Sequence, residues 1–209
     1  MGKKSILFIV VISFCLYLEV NVRKVTAETS DMKTVIDSGL GKGELIDPTV
    51  KPATENTGNL TIDAASFISF GAIKIGERSK VAQVPQGEKL GIQIRDVRGT
   101  GEGWSLNVKM SPFKSLQHPD KAITPLLELP EGTLKNGIND NFRSPTNVPV
   151  QVNQTFQPLL VAENNQGMGQ WLLLFENGST KVKLTNIPSD SLSGDYSADI
   201  DWQLTNAPR

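Results

Sequence analysis

Residues 196–204 read YSADIDWQL, and the alternation in that stretch decides the fold. Successive side chains of a strand point to opposite faces, so Tyr196, Ala198, Ile200, Trp202 and Leu204 share one side. Ser197, Asp199, Asp201 and Gln203 take the other, which predicts a long strand in a sheet covered on one face only. The same period recurs upstream. Leu90, Ile92 and Ile94 lie opposite Gly91, Gln93 and Arg95, and Trp104, Leu106, Val108 and Met110 alternate with Ser105, Asn107, Lys109 and Ser111. The glycine-rich stretch from Asp96 to Gly103 separates these two runs, which are expected to pair as a hairpin. Further strands are expected at Leu60 to Asp63, Ile68 to Ile75, Pro125 to Leu129, Val148 to Asn153, Pro158 to Ala162, Gln170 to Glu176 and Lys181 to Thr185. No segment keeps a helical period for a dozen residues, so the fold class is all-β, an antiparallel sandwich or barrel-like domain over residues 59–209.

The N-terminal part has a different texture. Lys3 and Lys4 precede an apolar run from Ile6 to Leu18, and Val25-Thr26-Ala27 supplies small residues for a cut after Ala27. That is the layout of a secretory signal peptide over residues 1–27, and the run is short of the roughly 20 residues that span a bilayer. A retained signal anchor is the alternative. Residues 28–58 are polar and broken by Gly39, Gly41, Gly43, Pro48, Pro52 and Gly58, a mostly irregular leader with at most a short strand near Gly43 to Ile46. Cys15, the single cysteine, would leave with the signal, so the mature chain would have to be stable through its core alone.

The whole chain has 21 basic and 22 acidic residues; without residues 1–27 it has 17 and 21, a net charge of −4. A mildly acidic domain without a basic run excludes nucleic acid as the expected partner, and the mature chain carries no expected membrane span. Catalysis finds little support. His118 is the single histidine, lies in a loop-like stretch and has no nucleophile context, and with no mature cysteine it cannot complete a zinc site. Asp199 and Asp201 sit two apart on one polar strand face, whereas glycosidase carboxylates come from separate elements held across the scissile bond. The glycines from Gly99 to Gly103 lead into a strand, not into the helix N-terminus of a phosphate loop. No cofactor or metal is therefore expected, and the chain is read as non-enzymatic. Asn59, Asn153 and Asn177 head short glycosylation-type triplets, which matter only in a host that attaches such glycans. No covalent wall-sorting signal is expected: LPEGT at Leu129 to Thr133 is internal, and no apolar tail follows the last strand.

Trp104, Trp171 and Trp202 are each followed two positions later by leucine, a pair that shares a strand face. Periodicity favours core packing for such pairs, with an aromatic platform for sugars as the functional alternative. Two of the three pairs stand in a larger pattern. Asp96-x-Arg98-Gly99-x-Gly101-x-Gly103-Trp104-x-Leu106 and Tyr196 followed by Trp202-x-Leu204, behind a signal peptide, resemble the WxL-domain surface proteins of low-GC Gram-positive bacteria. The resemblance runs from about Gly58 onward; Trp171 belongs to neither motif and is expected in the core. It implies a small member consisting of little but the WxL domain, secreted to the cell surface and associated non-covalently with peptidoglycan. Trp104, Leu106, Trp202 and Leu204 would be the wall-binding motif residues, supported by Asp96, Arg98, Gly99, Gly103 and Tyr196. It also implies partners, namely other WxL proteins and a membrane-anchored WxL-interacting protein, and so a subunit role in a surface complex, adhesion included, as the alternative. The linker is less proline-rich than in many members.

Overall fold

The computed structural model describes the side chains of residues 45–54, 56–137, 142–175 and 181–206, and the backbone pairing of residues 18–22. Most of the signal segment, the first half of the Gly43–Ile46 stretch, Asn177 with its triplet and Pro208 lie outside the described residues. Sixteen strands are described: β1 (Leu18–Val22), β2 (Leu60–Ala65), β3 (Ile68–Gly71), β4 (Lys80–Val81), β5 (Gly91–Asp96), β6 (Trp104–Met110), β7 (Phe113–Ser115) and β8 (Ala122–Ile123). They continue as β9 (Leu126–Leu129), β10 (Thr133–Asn136), β11 (Thr146–Asn147), β12 (Val150–Val152), β13 (Gln157–Ala162), β14 (Gly169–Leu174), β15 (Lys183–Thr185) and β16 (Tyr196–Thr205). No helix occurs among the described residues, and the all-β, sandwich-like fold expected from the alternation is the one found.

Three sheets share one core. The main sheet runs β11-β13-β6-β16-β1-β3, with β7 and β8 continuing it beside β16; the second is β10-β14-β5-β2 and the third β12-β9-β15-β4. All pairings are antiparallel except β1 with β16. Leu106, Ile200 and Trp202 of the main sheet meet Ile62, Ile94 and Leu173 of the second and Leu127, Leu129 and Leu184 of the third in a single buried cluster. Each such aliphatic side chain contributes roughly 1.5–3 kcal/mol on burial. β16 lies at the centre, alternating buried and more exposed residues along its whole length.

Two local expectations are corrected. β5 and β6 do not form a hairpin: β5 pairs with β14 and β2, and β6 with β13 and β16. A hairpin would lay their apolar faces side by side in one sheet. The loop from Val97 to Gly103 instead arches between sheets, and Ile92 and Ile94 of one sheet join Leu106 and Val108 of the other in a single core cluster, packed sheets lying ~10 Å apart. The face of β5 that carries Gly91, Gln93 and Arg95 is also buried. Residues 45–54 cover it: Val50 bridges Lys89, Ala53 bridges Ala64, and Ile46 N–H donates to Gln93 Oε1 at 2.8 Å. Leu45 and Ile46 themselves belong to no strand. Under this cover the Arg95 Nε donates to Asp63 Oδ2 at 3.2 Å, with both side chains less than 5% exposed (4% and 3%). The carboxylate also accepts from Thr61 and Gln93, and Arg95 Nη2 donates to the Asn56 carbonyl, so the buried pair has further partners.

Candidate functional site

The two W-x-L motifs occupy adjacent strands. β16 pairs with β6 in a register that sets Leu204 opposite Leu106, Trp202 opposite Val108 and Ile200 opposite Met110. Residues opposed in this way share a face, so the leucines of the two motifs form one rung and Trp202 the next. Trp104 lies beyond the leucine rung, opposite Ala162 of β13. All four motif side chains are core: Trp104 and Leu106 are 0% exposed, Trp202 4% and Leu204 3%. A ring so enclosed offers no face for a sugar to stack on. Tyr196, at the start of β16, is also buried and donates its hydroxyl to the Leu192 carbonyl at 3.1 Å.

The proximal motif builds the arch that leads into β6. Asp96 ends β5 buried, and Arg98 clamps it from two donors, Nε to Oδ1 and Nη2 to Oδ2, both at 2.9 Å. Nη2 also donates to the Gly103 carbonyl at 2.8 Å, which ties the two ends of the arch together. The hydrogen bonds to Asp96 are the main reason the guanidinium pKa is raised above its ordinary value. Gly103 has φ of 77°, and a Cβ there would drive into the Ala162 carbonyl oxygen and the Glu163 backbone. Only glycine serves at that position. Gly99 adopts φ of 69° in the open part of the arch, with nothing packed against it.

A partner loop, which the sequence reading passed over, completes the site. Trp104 Nε1 donates to the Gly167 carbonyl at 3.0 Å, and Asn165 N–H donates to the Gly101 carbonyl at 2.8 Å. Gly167 has φ of 68°, and a Cβ there would lie 2.7 Å from Trp104 Nε1. The signal was present in Asn164-Asn165-Gln166-Gly167, a turn-forming run, but nothing in one sequence ties it to a tryptophan 63 positions away. The tryptophans differ in one respect: among the described residues no acceptor reaches the buried Trp202 Nε1.

The remaining candidates are scattered. His118 is exposed in its loop, and no group of three or more His, Cys, Asp and Glu able to hold a metal occurs among the described residues. Asp199 and Asp201 lie on the outer face of β16, Asp201 within 3.4 Å of Lys109 Nζ. That ammonium also sits 4.7 Å above the half-exposed Phe156 ring. Trp171 and Leu173 are core residues of β14. Leu129 of LPEGT is buried inside β9. A groove of about 350 Å³ on the third sheet is lined by Val81, Leu129, Val150, Lys181 and the Lys183–Glu128 ion pair. No described helix is long and apolar enough to cross a membrane.

Fold and motif geometry together define an all-β module whose signature residues are its core. The family model of the WxL domain, a surface cell wall-binding domain, matches residues 35–208, and the chain belongs to that family. Its role is therefore cell-wall association at the cell surface, in a family of binding domains and not of enzymes. The match begins well before β2 and takes in the segment 45–54 that covers the second sheet. Among curated proteins and solved structures no match was found.

Proposed function

We propose that the chain is exported with residues 1–27 removed as a signal peptide and binds peptidoglycan non-covalently, without turning it over. The observation that carries this is the family match across residues 35–208. The W-x-L pairs act indirectly, because Trp104, Leu106, Trp202 and Leu204 hold together the two central strands that present the outer face of the main sheet. There Asn107 lies opposite Gln203, and Lys109 pairs with Asp201 beside Phe156. Amide and charged groups around one ring suit a polysaccharide, which combines hydroxyl and amide partners with an apolar ring face. The test is sedimentation of purified protein with bacterial sacculi, comparing wild type with Phe156→Ala and with Trp104→Phe. Folded wild type should sediment, Phe156→Ala should lose binding while keeping its stability, and the folded fraction of Trp104→Phe should bind normally. Wild type that stays in the supernatant sinks the proposal.

A second reading is favoured by the pairing of β1 into the main sheet. Here the chain is a subunit of a surface complex, held by a membrane-anchored interacting protein alongside other WxL proteins. Pure protein then ignores sacculi and co-purifies with that partner from cells.

A further inference from the structure

The main sheet contains a strand that the proposed export step takes away. β16 is paired along one edge by β6 and β7, and along Tyr196 to Ile200 of its other edge by β1. β3 carries β1 on one edge and, on the other, receives a bond of 2.7 Å from Gln83 N–H to the Ser69 carbonyl. β1 therefore stands alone between β3 and β16, and its residues 18–22 fall inside the segment read as signal peptide. With that segment removed, two strand edges face each other across about 10 Å, twice the spacing of neighbouring strands. Asp199 turns its backbone toward Ser111, donating its N–H to Ser111 Oγ at 2.9 Å and accepting from Ser111 N–H at 2.9 Å. Strand alternation then directs the backbone groups of Ala198 and Ile200 into the gap. Unpaired edges of this kind are templates for strand addition.

We infer that this slot is a docking site for an extended segment donated by a different protein at the cell surface, inserted parallel to β16 and antiparallel to β3. The inference rests on removal of residues 1–27 and on the surface-complex role described above. The segment now seated there gives the chemistry of the occupant: Leu-Glu-Val-Asn-Val, five residues with apolar positions at the first, third and fifth. In the register these fall opposite Tyr196, Ala198 and Ile200, all buried, while the polar positions fall opposite Ser197 and Asp199 on the outer-facing side. Small Ala198 opposite the central position leaves room for a β-branched residue there, and the ladder demands a backbone N–H, so proline is excluded. A second copy of this chain is a poor donor, since every other described strand is already paired within a sheet.

The experiment uses protein exported and processed by its producing cell, with its N-terminus fixed by mass spectrometry. Hydrogen exchange is followed with and without a synthetic peptide of residues 17–23, YLEVNVR, and with its Val20→Pro version. The Ala198 and Ile200 amides should exchange rapidly in the processed protein and slow by about tenfold or more with the peptide. The unfolding temperature should rise by roughly 5–10 °C at a peptide concentration of about 100 times its Kd, and the proline peptide should do neither. Retention of residues 18–22 in exported protein, amides already protected without peptide, absence of peptide binding, or equal action by the proline peptide each overturns the inference. Sedimentation with sacculi on the same preparation separates the two claims: protein that binds sacculi and ignores the peptide lacks the slot function but keeps wall binding.

Discussion

Trp104 and Trp202 look equivalent in sequence, but the structure makes them unequal, and replacing each with phenylalanine should show it. Both rings are core, so loss of the second ring costs about 2 kcal/mol at either site in transfer and cavity terms. At position 104 the change also strips the buried Gly167 carbonyl of its donor, adding about 1–2 kcal/mol. At position 202 it removes an N–H with no acceptor among the described residues, and relief of that desolvated donor returns about 1–2 kcal/mol. Trp104→Phe should therefore lose about 3–4 kcal/mol and Trp202→Phe about 0–1 kcal/mol, against a total stability on the order of 5–15 kcal/mol. Urea unfolding followed by far-UV circular dichroism gives both values, with an unchanged m-value as the check that the same surface unfolds. Equal losses, or a larger loss at 202, would refute the assignment of the two indole donors.

Three further outcomes follow from the polar contacts. Arg98→Ala leaves Asp96 buried without its clamp and unties the Gly103 carbonyl, and should cost about 3–5 kcal/mol in urea unfolding. Arg95→Ala should cost a similar 3–5 kcal/mol by stranding Asp63, whereas Arg95→Leu with Asp63→Leu should recover most of it; a double variant as weak as the single would contradict the pairing. Asp47 is held at a pKa of about 2, chiefly by the Thr49 hydroxyl and then its backbone N–H, with Lys89 adding less. A carboxylate depressed in the folded state stabilises above its unfolded pKa near 4, and that contribution is lost as pH falls from about 4 toward 2. Asp47→Asn should thus lower stability at pH 7 by roughly 1–2 kcal/mol and match wild type near pH 2, read from urea midpoints across the range.

The strands readable in the sequence were the longer ones, in which apolar residues recur often enough to be seen. β16, buried on one face, is the clearest case, and β2, β5, β6, β13 and β14, each six or more residues long, were legible although β2 and β5 are buried on both faces. β4, β8 and β11 have two residues each, too few to complete an alternation, and they exist because longer neighbours supply their partners. The arch was mistaken for a turn because glycines mark a change of direction without saying whether the chain re-enters the same sheet. Gly103 is fixed by its approach to Ala162 and Glu163, which only the folded structure brings near. Arg95 and Asp63 gave no sign of burial, since a charged residue on alternate positions reads as solvent-facing until the covering segment is known. The W-x-L pairs were legible both as strand neighbours and as a family mark, while their meeting on one rung depended on pairing across nearly half the chain.

That pairing sets the order in which the domain can come into being. Thr205 donates its hydroxyl to the Ser105 carbonyl, 100 positions earlier, and β6, β7 and β3 all precede the strand around which their sheet is organised. A chain made from its N-terminus delivers β16 after every one of its neighbours. Until then β6 has one edge open and the sheets have no central strand to close on, so the domain closes late and slowly, as non-local sheets do. A nearly complete, unclosed sheet must persist for the time it takes the ten-residue β16 to arrive.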